Sequence, residues 1–291
     1  MFGDFPVQNK IVLVTGGGSG IGLKFCRLVC AKGAKVLLAD IQLTREAEEL
    51  VQAEPNVVFQ RCDVRRWKEL TAAIQACETH WGDVPDVYAP VAGIFEPKWS
   101  NFWEDTETDG YGSVDINVNH PIKLTRLALR SLLGRNKKGV VCIIASIAGI
   151  LGSYGTPIYC ATKHAIVGFV KSLAASDERE GVKVVAVCPS FVNTPLWTDA
   201  PDRVNQYTLE SAKMLAPEAV ADGMVSIIEN GQYGGGTLLE MNATGQRVLP
   251  EWNMSPPDIG YHWESEDMEQ RYLAPIQNIM SRERRGTPSK L

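Results

Sequence analysis

Tyr159 and Lys163, in the run Tyr-Cys-Ala-Thr-Lys, stand four residues apart and so fall on one face of a helix. A phenol at its ordinary pKa of about 10 is a poor base at neutral pH. An ammonium group within about 4–6 Å favours the phenolate and brings it toward useful acid–base range. Ser146 lies 13 residues earlier, just after the apolar run Val140–Ala145, so its hydroxyl sits at the edge where that strand ends. Asn117, in Asp115-Ile-Asn-Val118, places an amide inside the preceding helix, where it can hold a water or a backbone carbonyl near the lysine. A lone Tyr-x-x-x-Lys is commonplace on protein surfaces. Beside a strand-end serine it points to proton transfer at an alcohol or carbonyl oxygen.

A second set of residues suits an anion. The apolar run Ile11–Thr15 ends in Gly16-Gly-Gly18-Ser19-Gly20-Ile21-Gly22, a turn of the pattern Thr-Gly-x-x-x-Gly-x-Gly. Glycines let the backbone approach a pyrophosphate closely, and a helix starting near Gly20 aims its free N–H groups and dipole at it. Alone, such a turn is equally a flexible loop. Between a strand and a helix, with an acid closing the next strand, it reads as a dinucleotide site. Asp40, followed by Ile41, is placed to accept hydrogen bonds from the adenosine ribose, and its charge would repel the extra phosphate of NADP. The alternative is that Asp40 only caps the following helix. No arginine adjoins it in sequence, the nearest being Arg45, so NAD is the expected cofactor. Asp63, followed by Val64, ends the third strand, where it could bond the adenine amino group. Ala92-Gly93 ends the fourth, where small residues let a cofactor pass.

These residues need a frame. Apolar strands near 11–15, 35–40, 56–61, 86–89, 139–145, 182–188 and 236–240 alternate with helical patterns, one after the glycine turn and others near 44–53, 66–80, 112–134, 158–177 and 217–229. That alternation predicts an α/β fold: a single Rossmann-type, doubly wound parallel sheet with helices on both faces. Two stretches break the rhythm, 94–111 and 189–216, both at carboxyl ends of strands, where open α/β sheets bind ligands. Trp99, Phe102, Trp103, Tyr154 and Trp197 fall near the expected pocket mouth. They either wall an apolar pocket for a lipid-like or polycyclic alcohol or pack the loops or a subunit interface. Residues 1–246 read as the NAD-binding domain. Residues 247–291 read as a C-terminal extension that closes over the pocket, extends an interface or does neither.

Composition narrows the classes. The 291 residues carry 29 Lys+Arg against 34 Asp+Glu, a net charge of −5 with no dense basic block, which argues against nucleic acid as a partner. No apolar run approaches the roughly 20 residues of a membrane helix, and Met1–Lys10 carries no secretory pattern. The seven cysteines form no Cys-x-x-Cys pair and the four histidines no His-Glu-x-x-His, so reduced buried thiols are expected and metal chemistry has no support. The final residues are Ser289, Lys290 and Leu291, a receptor-read peroxisomal address, preceded by Arg282, Arg284 and Arg285. The expectation is peroxisomal import through a receptor, with a cytoplasmic protein as the alternative.

The glycine turn, Asp40, Asn117, Ser146 and Tyr159-x-x-x-Lys163 together resemble the short-chain dehydrogenase/reductase family over nearly all of residues 8–242. The segments Ile158–Phe169 and Cys188–Thr194 look most like its NAD-linked 15-hydroxyprostaglandin dehydrogenase branch. The resemblance implies Tyr159 as general base, Lys163 on the nicotinamide ribose, Ser146 orienting substrate and Asn117 holding a proton-relay water. It also implies that Pro189 to Thr194 cradles the nicotinamide, with Val192 and Thr194 nearest its carboxamide. A homodimer or homotetramer built on the helices near 112–134 and 158–177 is implied as well. Two positions depart from the family pattern: Pro90-Val91 stands where Asn-Asn is usual, and Ser190 where Gly is usual. The reaction so implied is NAD-dependent oxidation of a lipophilic secondary alcohol. The alternatives are a biosynthetic ketoreductase running in reverse and a non-redox or inactive cofactor-binding member.

Overall fold

The computed structural model of the protein describes residues 2–199, 214–250 and 266–286. Eight strands form one sheet: β1 (Ile11–Thr15), β2 (Lys35–Asp40), β3 (Val57–Arg61), β4 (Val87–Pro90), β5 (Gly139–Ile144), β6 (Val182–Pro189), β7 (Leu238–Asn242) and β8 (Gly245–Val248). Their order is β3-β2-β1-β4-β5-β6-β7-β8. The first seven run parallel and only β8 is antiparallel to its neighbour. The doubly wound parallel sheet expected from the alternation is therefore present, with one strand more than expected.

The strands are apolar throughout because both faces are covered. Alternate residues go to opposite faces. Val12 and Val14 pack with Phe25 and Val29 of α1 (Gly20–Ala31), Ala47 of α2 (Arg45–Ala53) and Met224 of the helix Pro217–Glu229. Leu13, Leu37, Val141 and Ile143 pack on the other side with Leu70 of α3 (Trp67–Trp81), Leu124 of α4 (His120–Gly134) and Ile166 of α5 (Pro157–Ser172). We label Pro217–Glu229 α6 and the tail helix Glu266–Arg284 α7.

The helix expected near 112–134 is present, with a π-helical segment, Asp115–Asn119, between a first turn at Gly112–Val114 and α4. Two other expectations are corrected. The helix near 158–177 stops at Ser172, with a separate turn at Ser176–Glu180. The expected boundary at 246/247 falls inside β8, whose Val248 pairs with Leu239, so the sheet runs on into the extension. Beyond it, Glu283 of α7 is buried against Arg126 and Arg130 of α4, which fastens this part of the tail to the domain. Among the described residues no helix is long and apolar enough to cross a membrane and no group of side chains could hold a metal; all seven cysteines are free thiols.

Candidate active site

β1 lies between β2 and β4, so the connections that leave β1 and β3 run to opposite sides and open a crevice at the strands' carboxyl ends. A cavity of about 640 Å³ occupies that crevice. Gly16, Ser19, Gly20, Ile21, Gly22, Asp40, Ile41, Asp63, Val64, Ala92, Gly93, Ser146, Tyr159, Lys163, Pro189, Val192 and Thr194 all line it. Of the site residues singled out in the sequence, Gly18 and Asn117 do not. Each stands one layer behind.

The turn after β1 fits a pyrophosphate. Ser19 makes no side-chain cap and the first turn of α1 holds no acid, so the helix presents its N–H groups to the cavity. A Cβ on Gly22 would lie 2.0 Å from the Gly16 carbonyl, so only glycine lets the helix start against the turn. Gly18 acts on Asp40: its N–H donates to Asp40 Oδ2 at 2.9 Å, while Ile41 N–H donates to Oδ1 at 2.7 Å. These bonds fix the carboxylate at the ribose end. Asp40 does not cap α2; Thr44 does, accepting from Ala47 N–H.

Arg45 is not the arginine nearest to Asp40 in the fold. Arg61 pairs with Asp40 across β2 and β3, a neighbour that sequence distance hides. Its guanidinium lies 3.7 Å from Glu69 and its side chain is 66% exposed. Asp63 is buried and gripped by Arg65, whose Nε donates to Oδ1 at 3.0 Å and whose Nη2 donates to Oδ2 at 2.8 Å. The hydrogen bonds from Arg65 hold the Asp63 carboxyl below its ordinary range. Arg65 itself lines the cavity and was not singled out, although its place two residues after Asp63 was the available signal.

At the other end Ser146 is the N-cap of the turn Ile147–Gly149; its Oγ accepts from Ala148 N–H at 3.1 Å and donates to the Pro189 carbonyl at 3.4 Å. Burial pushes the Tyr159 phenol up to about 12, against a hydrogen bond from Ser146 that lowers it. Burial pushes Lys163 down to about 8. The lysine is outweighed by burial, the largest influence on the Tyr159 pKa. Its Nζ lies 5.6 Å from the Tyr159 ring centre and donates to the Ile144 carbonyl at 2.9 Å, and both groups are desolvated, which works against either charge.

Asn117 is 2% exposed and sits within the π-helical segment. Its amide bonds a backbone: Oδ1 accepts from Ile94 N–H and Nδ2 donates to the Ile94 carbonyl, both at 2.9 Å, with Thr162 Oγ1 at 3.3 Å. Pro90-Val91 leaves no backbone donor stranded, since Val91 and Ala92 both donate to the Thr15 carbonyl. Beside it His120 ties α4 to β1. Its Nδ1 donates to the Ile116 carbonyl at 3.2 Å and its Nε2 accepts from the Thr15 hydroxyl at 3.0 Å. Burial pushes the imidazole down to about 4, so the ring is neutral and the tautomer is the one these bonds require.

The aromatic wall differs from expectation. Trp99 and Trp197 line the cavity, joined by Phe95 and Phe191. Phe95 packs on both Tyr159 and Trp197 with ring centres 4.7 Å apart, and Phe191 lies 5.2 Å from Trp197. Phe102, Trp103 and Tyr154 do not line it. They pack on one another outside, Trp103 lying 4.7 Å from Tyr154 and donating to its carbonyl, with Tyr154 84% exposed. Loop aromatics that find partners among themselves have no need of the pocket.

Residues 10–205 match the family model described as short chain dehydrogenase. The chain belongs to the short-chain dehydrogenase family. Rat (Rattus norvegicus) 15-hydroxyprostaglandin dehydrogenase [NAD(+)] is 32% identical over 270 residues, which cover 86% of this chain and 97% of that protein. Bovine (Bos taurus) L-fucose dehydrogenase is 30% identical and covers 83% of this chain and 90% of its own. The crystal structure of a 3-ketoacyl-(acyl-carrier-protein) reductase from Brucella melitensis, complexed with NADH, superposes with a TM-score of 0.69. At 23% identity, covering 81% of this chain and 98% of that one, it shows the shared fold. This short-chain dehydrogenase is an oxidoreductase acting on CH–OH groups.

Proposed function

We propose that this enzyme oxidises a secondary alcohol of a lipophilic substrate to a ketone, with NAD as its cofactor. The convergence of Ser146, Tyr159 and Lys163 on the cavity that also holds Asp40 and the glycine turn carries the reading. Bound NAD supplies the acceptor for the carbinol hydride. Tyr159 takes the hydroxyl proton, Ser146 donates to the oxygen as it becomes a carbonyl, and Lys163 holds the nicotinamide ribose and favours the phenolate. Asn117 keeps the cavity floor at Gly93–Ile94 in place and supports a proton-relay water. Asp40 reads the ribose, Asp63 the adenine, and Pro189, Val192 and Thr194 support the nicotinamide. Phe95, Trp99, Phe191 and Trp197 make the substrate end apolar and exclude water from the transfer.

NADH formation by the purified protein, with hydroxylated lipids and polycyclic alcohols set against polyols, tests the substrate class. Turnover confined to polyols would reject it. Ketone reduction is a second reading, favoured by one observation: burial of Tyr159 favours the protonated phenol, the form from which reduction begins. NADH consumption with the matching ketones at pH 6–7 decides the direction.

Ser289, Lys290 and Leu291 lie outside the described residues, and we propose them as the address for a peroxisomal import receptor. Deleting them should leave the protein cytosolic; unchanged localisation would reject the address. A homodimer or homotetramer through α4 and α5 is likewise proposed, to be read by light scattering.

A further inference from the structure

The helix that carries Tyr159 and Lys163 begins without a cap of its own. Thr156 at its N-cap makes no capping bond, and Pro157, its first residue, has no N–H. The next two donors, Ile158 N–H and Tyr159 N–H, would otherwise be orphaned. A carboxylate from a loop 63 residues away reaches them: Glu96 Oε2 accepts from Tyr159 N–H at 3.1 Å and Oε1 from Ile158 N–H at 3.4 Å. Glu96 is also one of four non-glycine residues with a positive φ among the described residues, at +30°, a left-handed conformation that costs a side-chain-bearing residue energy. Such strain persists where its surroundings over-determine it. The neighbouring Phe95 packs its ring edge-on against the Tyr159 ring.

We infer that Glu96 is a positioning residue for Tyr159, and that the Phe95-Glu96 pair couples the pocket loop to the helix that carries the acid–base group. One residue of the pair holds the phenol ring and the other the backbone of the same tyrosine. The loop is anchored at its far end too. Glu107 accepts from Gly112 N–H at 2.9 Å, and Ser113 donates two hydrogen bonds to Ser100, from its N–H to Oγ and from its hydroxyl to the carbonyl. Trp99 of this loop walls the cavity. Displacement of the wall by a bound substrate is thereby transmitted to Glu96 and so to Tyr159. The inference rests on Tyr159 being the acid–base group.

The test compares Glu96→Ala and Glu96→Gln with wild type in amide hydrogen exchange, NADH affinity and steady-state kinetics. Glu96→Ala should speed exchange at Ile158 and Tyr159 about tenfold, as loss of a cap does. It should lower kcat about tenfold with KM and the NADH Kd within about twofold, because the reacting geometry and not binding is disturbed. Glu96→Gln keeps an acceptor oxygen and should restore most of both. Wild-type exchange in Glu96→Ala, or faster exchange with kcat unchanged, would overturn the inference alone. A folded wild-type protein with no turnover would overturn the reading of Tyr159, and this inference with it.

Discussion

The side chain of Asn117 and the backbone of Ile94 are joined by two hydrogen bonds of 2.9 Å, one in each direction. The pair fixes the chain just as it leaves β4, where Gly93 and Ile94 line the cavity and the aromatic loop begins. A side-chain amide is the group that can do this, since it offers a donor and an acceptor in one plane. A Cβ on Gly93 would stand 3.3 Å from Asn117 Oδ1, so the fit is close as well as bonded.

Replacing Asn117 by Ala should therefore strand both groups of Ile94. The expected cost is about 1–3 kcal/mol in urea unfolding, with a fall in kcat of about 100-fold from the misplaced cavity floor. Asn117→Asp keeps the acceptor and loses the donor, and should lie between.

Asp40 should decide between the two nicotinamide dinucleotides. Asp40→Ala removes charge-assisted bonds to the ribose and should lower kcat/KM for NAD about 10–100-fold while raising that for NADP. Steady-state kinetics with both cofactors reads the change. An unaltered preference would place the selectivity elsewhere.

Lys163 should lower stability while serving activity. Burial takes its folded pKa from 10.5 down to about 8, so the unfolded chain holds its proton more tightly. Below about pH 8 the cost is present in full, and it is relieved as pH rises from about 8 toward 10.5, because the unfolded state binds more protons across that window. The cofactor-free enzyme should gain stability over this range relative to Lys163→Met. At pH 7 that variant should be the more stable by about 2–3 kcal/mol and catalytically impaired. Thermal unfolding against pH checks both signs.

Glu283 should anchor α7 in a pH-dependent way. Burial raises its pKa, but bonds from Arg126 and Arg130 outweigh it and hold the carboxyl below its ordinary value. The depressed folded pKa means that the stabilisation is full above the unfolded value of about 4.3 and is lost as pH falls through the folded one. Glu283→Gln should loosen the helix at neutral pH by about 1–2 kcal/mol, visible as faster exchange of α7 amides with little change in the sheet.

Much of this enzyme is written locally. The glycine turn, the acid closing β2 and the Tyr-x-x-x-Lys spacing depend on short stretches of chain, so the sheet, the cofactor end and the acid–base pair could be read from them. Arg61 beside Asp40, Glu96 beneath Tyr159 and His120 against Thr15 could not, because each contact spans at least 21 residues and follows from strand register or loop path. Phe102, Trp103 and Tyr154 share composition with the pocket wall and differ only in which way the loop turns them. The desolvation that opposes Lys163 and Tyr159 is likewise a property of packing, which spacing along a helix does not contain.

The most direct measurement is alcohol oxidation by Tyr159→Phe, with NADH binding followed by fluorescence in the same samples. The account predicts that turnover falls at least about 1,000-fold while the NADH Kd stays within about twofold, since the variant loses only the proton-carrying hydroxyl. Turnover near the wild-type level with intact NADH binding would contradict it.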